Sequence, residues 1–195
     1  MFNDHNNFDK SSHDFEEHVS SMSQFNLGVL SEDEYSVFDD EQSVLLYRNA
    51  AERGHAPAQF KLGSMYDDGN VVTQDYEEAA SWYRKAAEQG YADAQKALGL
   101  MYSFGEGVLQ DHQHAVFWLH KAAEQGHALA QKSLGIMYYR GDCVRQDDVT
   151  AYAWFIVAAS NGYQEGLDIV EKDEKLRAIK NQAQARAKEI VAGFP

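Results

Sequence analysis

The histidines are the side chains in this sequence best suited to metal or acid–base chemistry, and the 195 residues include eight of them. His112, His114 and His120 lie in one predicted helix. Metal ligands on one face of a helix are three or four residues apart, whereas these separations are two, six and eight residues. The spacing therefore favours histidines on a helix surface, and no metal site and no cofactor is predicted.

The single cysteine, Cys143, is a candidate for a redox-active or nucleophilic thiol. It lies in a predicted turn beside Asp142 and Arg145, which have opposite electrostatic effects on a thiol. No second cysteine is present to form a disulfide with it after oxidation. The alternative is a residue that only fills a turn, and the sequence favours that alternative.

Three aspartates, Asp75, Asp111 and Asp147, recur at a constant spacing and could suggest a carboxylate site. Each one precedes a predicted helix, where its side chain would cap the first backbone N–H groups. Equivalent residues of a repeat lie one repeat apart and are therefore not paired. The sequence also has no phosphate-binding loop, dinucleotide fingerprint or nucleophile elbow. No catalytic residues are predicted, and the chain is not expected to be an enzyme.

These residues are positioned by an internal repeat of 36 residues. Its first half reads AQFKLGSMYDDG at 58–69, AQKALGLMYSFG at 94–105 and AQKSLGIMYYRG at 130–141. Its second half ends in WYRKAAEQG at 82–90, WLHKAAEQG at 118–126 and WFIVAASNG at 154–162. The repeat predicts a solenoid over 23–165, with a degenerate unit at 23–57 and full units at 58–93, 94–129 and 130–165.

Each unit is predicted to form two helices, because its apolar residues recur at helical spacing. A glycine inside each first helix costs roughly 1 kcal/mol of helix propensity, which suggests that another helix packs closely there. These glycines are Gly63, Gly99 and Gly135. The bulky side chains expected against them are Trp82, Trp118 and Trp154.

The two ends of the chain differ from the repeat. Residues 1–22 are predicted to be a partly disordered extension, although a helix from 12 to about 31 would place Met22 and Val29 on an apolar side. At the other end, the apolar residues Phe155, Ile156 and Val157 replace a basic surface, formed in earlier units by Tyr83, Arg84 and Lys85 and by Leu119, His120 and Lys121. A capping helix within 166–195, at roughly 173–192, is predicted to cover them.

The repeated residues resemble the Sel-one-like repeat (SLR) family, a relative of the tetratricopeptide solenoids. The unit 94–129 follows the family pattern of L-G, the G-V…D loop and the A-A…G ending. The resemblance implies an all-α fold: a right-handed α/α solenoid of antiparallel helix pairs with a C-terminal capping helix. One departure concerns the second glycine of the loop, which is present as Gly107 in the unit 94–129. Val71 and Cys143 replace this glycine in the other two full units, which predicts a different turn in those loops.

Charge limits the classes of partner. The formal net charge of −14 argues against nucleic acid and against anionic membrane surfaces, and it favours a basic protein partner. Residues 1–54 alone carry twelve acidic and three basic side chains. The sequence lacks a long apolar run of the kind found in signal peptides or membrane spans, so a cytoplasmic location is expected.

Partner specificity in a repeat protein can lie at positions that vary between units. Three such columns on the first helices are proposed as the partner-binding surface. They comprise Ser64, Leu100 and Ile136; Asp67, Ser103 and Tyr139; and Asp68, Phe104 and Arg140. The alternative for Leu100 and Ile136 is that they pack against an adjacent helix.

The resulting hypothesis is a non-catalytic adaptor or scaffold that presents a groove to a protein partner, the role that the resemblance implies. A second hypothesis is an immunity or antitoxin protein that neutralises a basic effector enzyme. A third comes from relatives linked to β-lactam binding or hydrolysis, but the paired cysteines of the secreted relatives are absent here.

Overall fold

The computed structural model describes residues 20–27, 29, 40–69, 71–165 and 174–194. Residues 20–27 are helical. The helices that follow are α1 (Asp40–Glu52), α2 (Ala56–Asp68), α3 (Tyr76–Glu88), α4 (Ala92–Phe104), α5 (His112–Glu124), α6 (Ala128–Arg140), α7 (Asp148–Ser160), α8 (Glu174–Ala178) and α9 (Lys180–Ala192). The described residues are therefore all-α, as predicted. None of their helices has the length and apolar character needed to span a membrane.

The helix boundaries follow the predicted signals. Asp75, Asp111 and Asp147 each accept hydrogen bonds from two backbone N–H groups at the start of α3, α5 and α7, at 2.9–3.0 Å. Pro57 lies in the first turn of α2, where its missing N–H has no helical partner. Short-range capping chemistry therefore sets where the second helix of each pair begins.

The glycines inside the first helices pack as tightly as predicted, but the side chains against them are not tryptophans. They face Tyr83, Leu119 and Phe155, which come one residue after each tryptophan. A Cβ atom added at Gly135 would lie 2.7 Å from Cε1 of Phe155. The prediction of tryptophan was wrong because one helical residue is a rotation of about 100°, which carries the tryptophan off the face that meets the glycine.

The loops between the helices of each pair share one turn geometry, contrary to the prediction. Gly107 has φ 65°, and Val71 and Cys143 have φ 72° and 65° in the equivalent position. The left-handed region is unfavourable for a β-branched residue such as valine. The turn is therefore imposed by the helices on either side of it and not by the residue at this position.

The structure divides into two compact units, Met1–Gln89 and Gly90–Pro195. In the first unit, Tyr47, Leu62 and Trp82 belong to one buried apolar cluster of α1, α2 and α3. Phe25 of the helical segment 20–27 packs against the Tyr47 ring at 5.8 Å between centroids. Met22 and Val29, on the apolar side predicted for a helix here, are 46% and 45% exposed. Residues 1–19 of the predicted extension lie outside the described residues.

In the second unit, α9 packs against α7 and caps it, as predicted. Ala183 and Ala187 are buried in this contact, and the Phe194 ring stacks on Trp154 at 6.1 Å between centroids. The predicted helix is interrupted at Ile179, between α8 and α9. Small alanines on α9 allow it to approach the apolar face of α7 closely.

A buried glutamine joins consecutive helices within the second unit, a feature that the sequence analysis missed. The Gln131 amide nitrogen donates to the Ala123 carbonyl at 2.9 Å. The Gln131 amide oxygen accepts from the Asn161 amide at 3.0 Å. Gln131 is fully buried, so both polar ends of its side chain are satisfied away from water. The A-Q pair that opens each first helix is the sequence signal of this arrangement.

Candidate functional site

The proposed binding residues of the first unit are engaged in its own helix pair. Ser64 Oγ donates to Asp68 Oδ2 at 3.2 Å, and the Tyr83 hydroxyl donates to Asp67 Oδ2 at 3.2 Å. Burial raises the pKa of Tyr83, and the carboxylate of Asp67 raises it further. Asp67 thus holds a buried phenol in its neutral form, and Asp68 is the more exposed of the two carboxylates.

The remaining six residues lie in the second unit and differ in exposure. Ile136 is half-buried beside Tyr152 and Phe155, and Leu100 is half-buried as well. Tyr139 and Arg140 are exposed at the end of α6. Ser103 is half-buried at the end of α4, whereas Phe104 beside it is 66% exposed. The surface available to a partner therefore lies at the C-terminal ends of α4 and α6.

An open cleft of about 610 Å³ is formed there by the loops that follow α4 and α6. Its lining residues are Ser103, Phe104, Gln110, His112, Gly141, Asp142, Cys143, Val144 and Arg145. Glutamines hold both loops against the helices that precede them. Gln110 Nε2 donates to the Ser103 carbonyl at 2.8 Å, and Gln146 Nε2 donates to the Tyr139 carbonyl at 3.0 Å. The loops are thus fixed in place, so the cleft is a property of the folded unit.

Two cleft residues that the sequence analysis had set aside come together. Cys143 Sγ lies 2.9 Å from Nδ1 of His112 and 3.5 Å from Oγ of Ser103. Neither the spacing of the histidines in α5 nor the residues beside Cys143 in its turn indicates this contact. The two residues are 31 positions apart, and adjacent loops of successive repeats bring them together.

The other two histidines of α5 have partners of their own. His114 Nδ1 lies 2.8 Å from the carboxylate of Asp111, and its ring stacks on Tyr102. The His120 and Trp154 rings pack edge to face, at 5.3 Å between centroids. Burial lowers the pKa of His120 even though Glu124 opposes that shift. In the part of the chain that the structure describes, no three metal-binding side chains come together.

Exposed apolar side chains flank the cleft. Phe104 lines it, and Leu109, in the loop that carries the cleft residue Gln110, is 91% exposed. Phe117 on α5 is, like Phe104, an exposed phenylalanine, with 50% exposure, but it does not line the cleft. Exposed aromatic side chains beside a cleft are typical of protein-binding sites.

The repeat itself decides the family. The model of the Sel1 repeat matches the chain at 21–55, 56–91, 92–127, 128–163 and 162–181. The chain belongs to the Sel1 repeat family. The matches cover most of the sequence and confirm the resemblance found from the 36-residue period.

A solved structure of another Sel1 repeat protein has the same fold. A Sel1 repeat protein from Oxalobacter formigenes is 34% identical, with a TM-score of 0.69 over 75% of this chain and 60% of its own. A protective antigen of uropathogenic Escherichia coli strains with an SLR fold is 31% identical, with a TM-score of 0.47 over 89% of this chain and 46% of its own. The Helicobacter pylori cysteine-rich protein B is 22% identical, with a TM-score of 0.49 over 60% of this chain and 93% of its own.

The chain spans 60% and 46% of the first two of these structures. A search of curated proteins gave no match.

Proposed function

We propose that this chain is a non-catalytic protein-interaction module, an adaptor or scaffold whose partner docks on the cleft of the Gly90–Pro195 unit. Sel1 repeats mediate protein–protein interactions. The observation that carries the proposal is Phe104, an aromatic side chain that is 66% exposed at the edge of a cleft with fixed loops. Exposed aromatic residues beside a preformed cavity are the usual anchors of protein interfaces.

The size of the Phe104 contribution follows from its exposed area. A phenylalanine has about 200 Å² of surface, so roughly 130 Å² is available for burial by a partner. At about 25 cal/mol per Å², this area corresponds to about 3 kcal/mol of binding free energy. That free energy is about a hundredfold in Kd, which makes Phe104 the single residue whose removal is most informative.

Charge supports a basic partner. The chain carries a net charge of −14, and its acidic side chains would attract a positively charged protein over a long range. At the cleft itself, Asp142 and Arg145 are both exposed, so local recognition there involves charges of both signs. We therefore expect salt to slow association, and the apolar contact of Phe104 to govern dissociation.

An immunity function is a special case of this proposal, in which the basic partner is an effector enzyme. Residues 1–54, which hold the excess of acidic side chains, would then contribute to the interaction. Identification of the partner separates this case from a scaffold role.

Site-specific photo-crosslinking tests the proposal. A benzophenone amino acid replaces Phe104 in one variant and Phe117 in a matched control, since both are exposed aromatic residues of the same unit. The proposal expects one protein to crosslink strongly at position 104 and weakly at 117, and to be recovered by mass spectrometry. Equal labelling at the two positions, or labelling at 117 alone, would place the partner elsewhere and contradict the proposal.

A further inference from the structure

We infer that the groove between α7 and α9 is a binding site for a small amphiphile, a fatty-acid-like molecule with one carboxylate and an apolar alkyl chain. The site lies on the C-terminal cap, whereas the proposed partner surface is the cleft beside Phe104. The inference therefore goes beyond the proposed function and does not depend on it.

The groove is apolar along most of its length. It has a volume of about 640 Å³ and is open to solvent. Ile156 and Val157 line it from α7, and Ala187, Val191 and Ala192 line it from α9. Val191 is 49% exposed, so an apolar side chain of the cap is left in contact with water. Mainly apolar sites of roughly 300–1,000 Å³ are typical of small-molecule binding.

The small extent of this apolar surface favours a small molecule over a protein. α9 is described over its whole length, and Val191 is its only exposed large apolar side chain. Outside the groove, the exposed side chains of α9 are polar, charged or alanine. Eight residues line the groove, whereas a stable protein interface has about 20–30 residues on each side. The cleft beside Phe104 differs, because the exposed Leu109 extends its apolar surface.

The charge of the groove predicts the head group of the ligand. Lys188 is the only charged residue that lines it, and among the described residues its ammonium has no ion-pair partner. By contrast, Arg186 on the same helix is paired with Glu189 at 2.8 Å. A lysine ammonium is a point charge, which matches one carboxylate and would leave part of a phosphate dianion unmatched. Gln184, four residues before Lys188, lies on the same helix face and adds a neutral amide donor.

The polar and apolar residues of α9 lie at opposite ends of the groove. Gln184 and Lys188 precede Val191 and Ala192, and the side chains of a helix lean toward its N-terminus. The carboxylate is therefore placed near Gln184, and the alkyl chain runs toward Ala192. The helix rises about 12 Å between these two residues. An extended chain advances roughly 1.2 Å per bond, so a chain of about ten carbons fills this length.

A nuclear magnetic resonance titration of the full chain with sodium decanoate, kept below its micelle-forming concentration, tests the inference. Backbone amide shifts report both the Kd and the residues in contact with the ligand. We expect saturable shifts centred on Gln184 to Ala192 of α9 and on the facing residues of α7. Hexanoate should bind at least about tenfold more weakly, because each buried methylene changes Kd by up to about fourfold.

Two pairs of variants separate the groove from the rest of the cap. Ala192→Trp should weaken Kd at least about tenfold, because the indole occupies the volume of the alkyl chain. Ala185→Trp is its matched control, since Ala185 is an exposed alanine of α9 outside the groove. Lys188→Gln should weaken Kd about threefold, the size typical of an exposed ion pair, and Lys180→Gln should leave it unchanged. Circular dichroism confirms that each variant is folded, and the comparison of decanoate with hexanoate needs no variant.

Shifts that do not saturate, or that do not include the groove, would overturn the inference. Equal Kd values for the two tryptophan variants, for the two glutamine variants, or for decanoate and hexanoate would overturn it as well. Shifts of the groove residues that depend on protein concentration alone would show that a second copy of the chain occupies the groove. Sedimentation with phosphatidylglycerol vesicles, without binding of decanoate, would assign the groove to a membrane surface. Both of these results would contradict a small-molecule site.

Discussion

Replacement of Gly135 by alanine tests the packing that holds each helix pair together. Gly135 lies inside α6, and a Cβ atom built there would be 2.7, 2.8 and 3.1 Å from three ring atoms of Phe155. Contacts this short do not occur between real side chains, so either the ring or the helix has to move. Phe155 is only 1% exposed, with Ala183 in the same buried cluster, and it has no open space to move into.

The expected magnitude is the balance of two opposing effects. In a helix interior alanine is favoured over glycine by about 1 kcal/mol. Overpacking of a tightly packed core costs about 1–3 kcal/mol, and a rigid buried ring places this site near the upper value. We therefore expect Gly135→Ala to lower the free energy of unfolding by about 2 kcal/mol. For a chain of this length the corresponding fall in Tm is about 4–8 °C.

Urea and thermal unfolding followed by circular dichroism at 222 nm measure this effect. Gly193→Ala is the matched control, because Gly193 has φ −85° and an added Cβ would come no closer than 3.5 Å to any atom. The control should leave stability unchanged or slightly increased. If Gly135→Ala is as stable as wild type or more stable, the helices are not in the close contact described, and the account of the repeat's glycines is refuted.

Further predictions concern the cap, the buried amide and two titratable groups. If the chain ends at residue 165, Ile156 and Val157 lose their cover, and burial of each side chain is worth about 1.5–3 kcal/mol. We therefore expect aggregation in size-exclusion chromatography. A monomer with an unchanged Tm would contradict the capping role of α9. Gln131→Ala should lower the free energy of unfolding by about 2–4 kcal/mol in urea titrations, because it removes two hydrogen bonds and leaves a cavity. Asp147→Ala should cost about 1–2 kcal/mol at neutral pH. Backbone N–H groups, chiefly that of Thr150, lower the pKa of Asp147, so the difference from wild type should shrink as acid protonates the carboxylate; a constant difference would exclude the capping bond. Burial lowers the pKa of His120, so the unfolded chain binds that proton first and wild type should lose stability as pH falls below about 6.5. His120→Gln should reduce this loss, and identical pH profiles would show that His120 does not contribute.

The sequence was sufficient to predict the helix pairs because their signals are local. The N-cap aspartates, the apolar spacing and the 36-residue period each involve residues a few positions apart or one repeat apart. The capping helix was equally predictable, since Phe155, Ile156 and Val157 form an apolar face that the segment 166–195 can cover. These features depend on composition and periodicity alone.

The features that were mispredicted or missed depend on rotations and loop positions. Whether Trp154 or Phe155 meets Gly135 is decided by the rotation of α7 about its axis, which a repeat pattern does not specify. The contact between Cys143 and His112 requires two loops of successive repeats to lie side by side. Of the nine proposed binding residues, Phe104 could not be distinguished from Ile136 by type, and only the structure separates the exposed side chain from the one packed beside Tyr152.

The most direct test of the proposed function uses the partner that photo-crosslinking identifies, purified without the crosslink. Isothermal titration calorimetry measures its Kd for three forms of the chain. These forms are wild type, Phe104→Ser and the control Phe117→Ser, all shown to be folded by circular dichroism. The account predicts that Phe104→Ser weakens Kd by between about tenfold and about a hundredfold, because full burial of the exposed ring is worth about 3 kcal/mol. It predicts that Phe117→Ser leaves Kd unchanged. An unchanged Kd for Phe104→Ser, or an equal loss for Phe117→Ser, would show that the partner does not bind at this cleft.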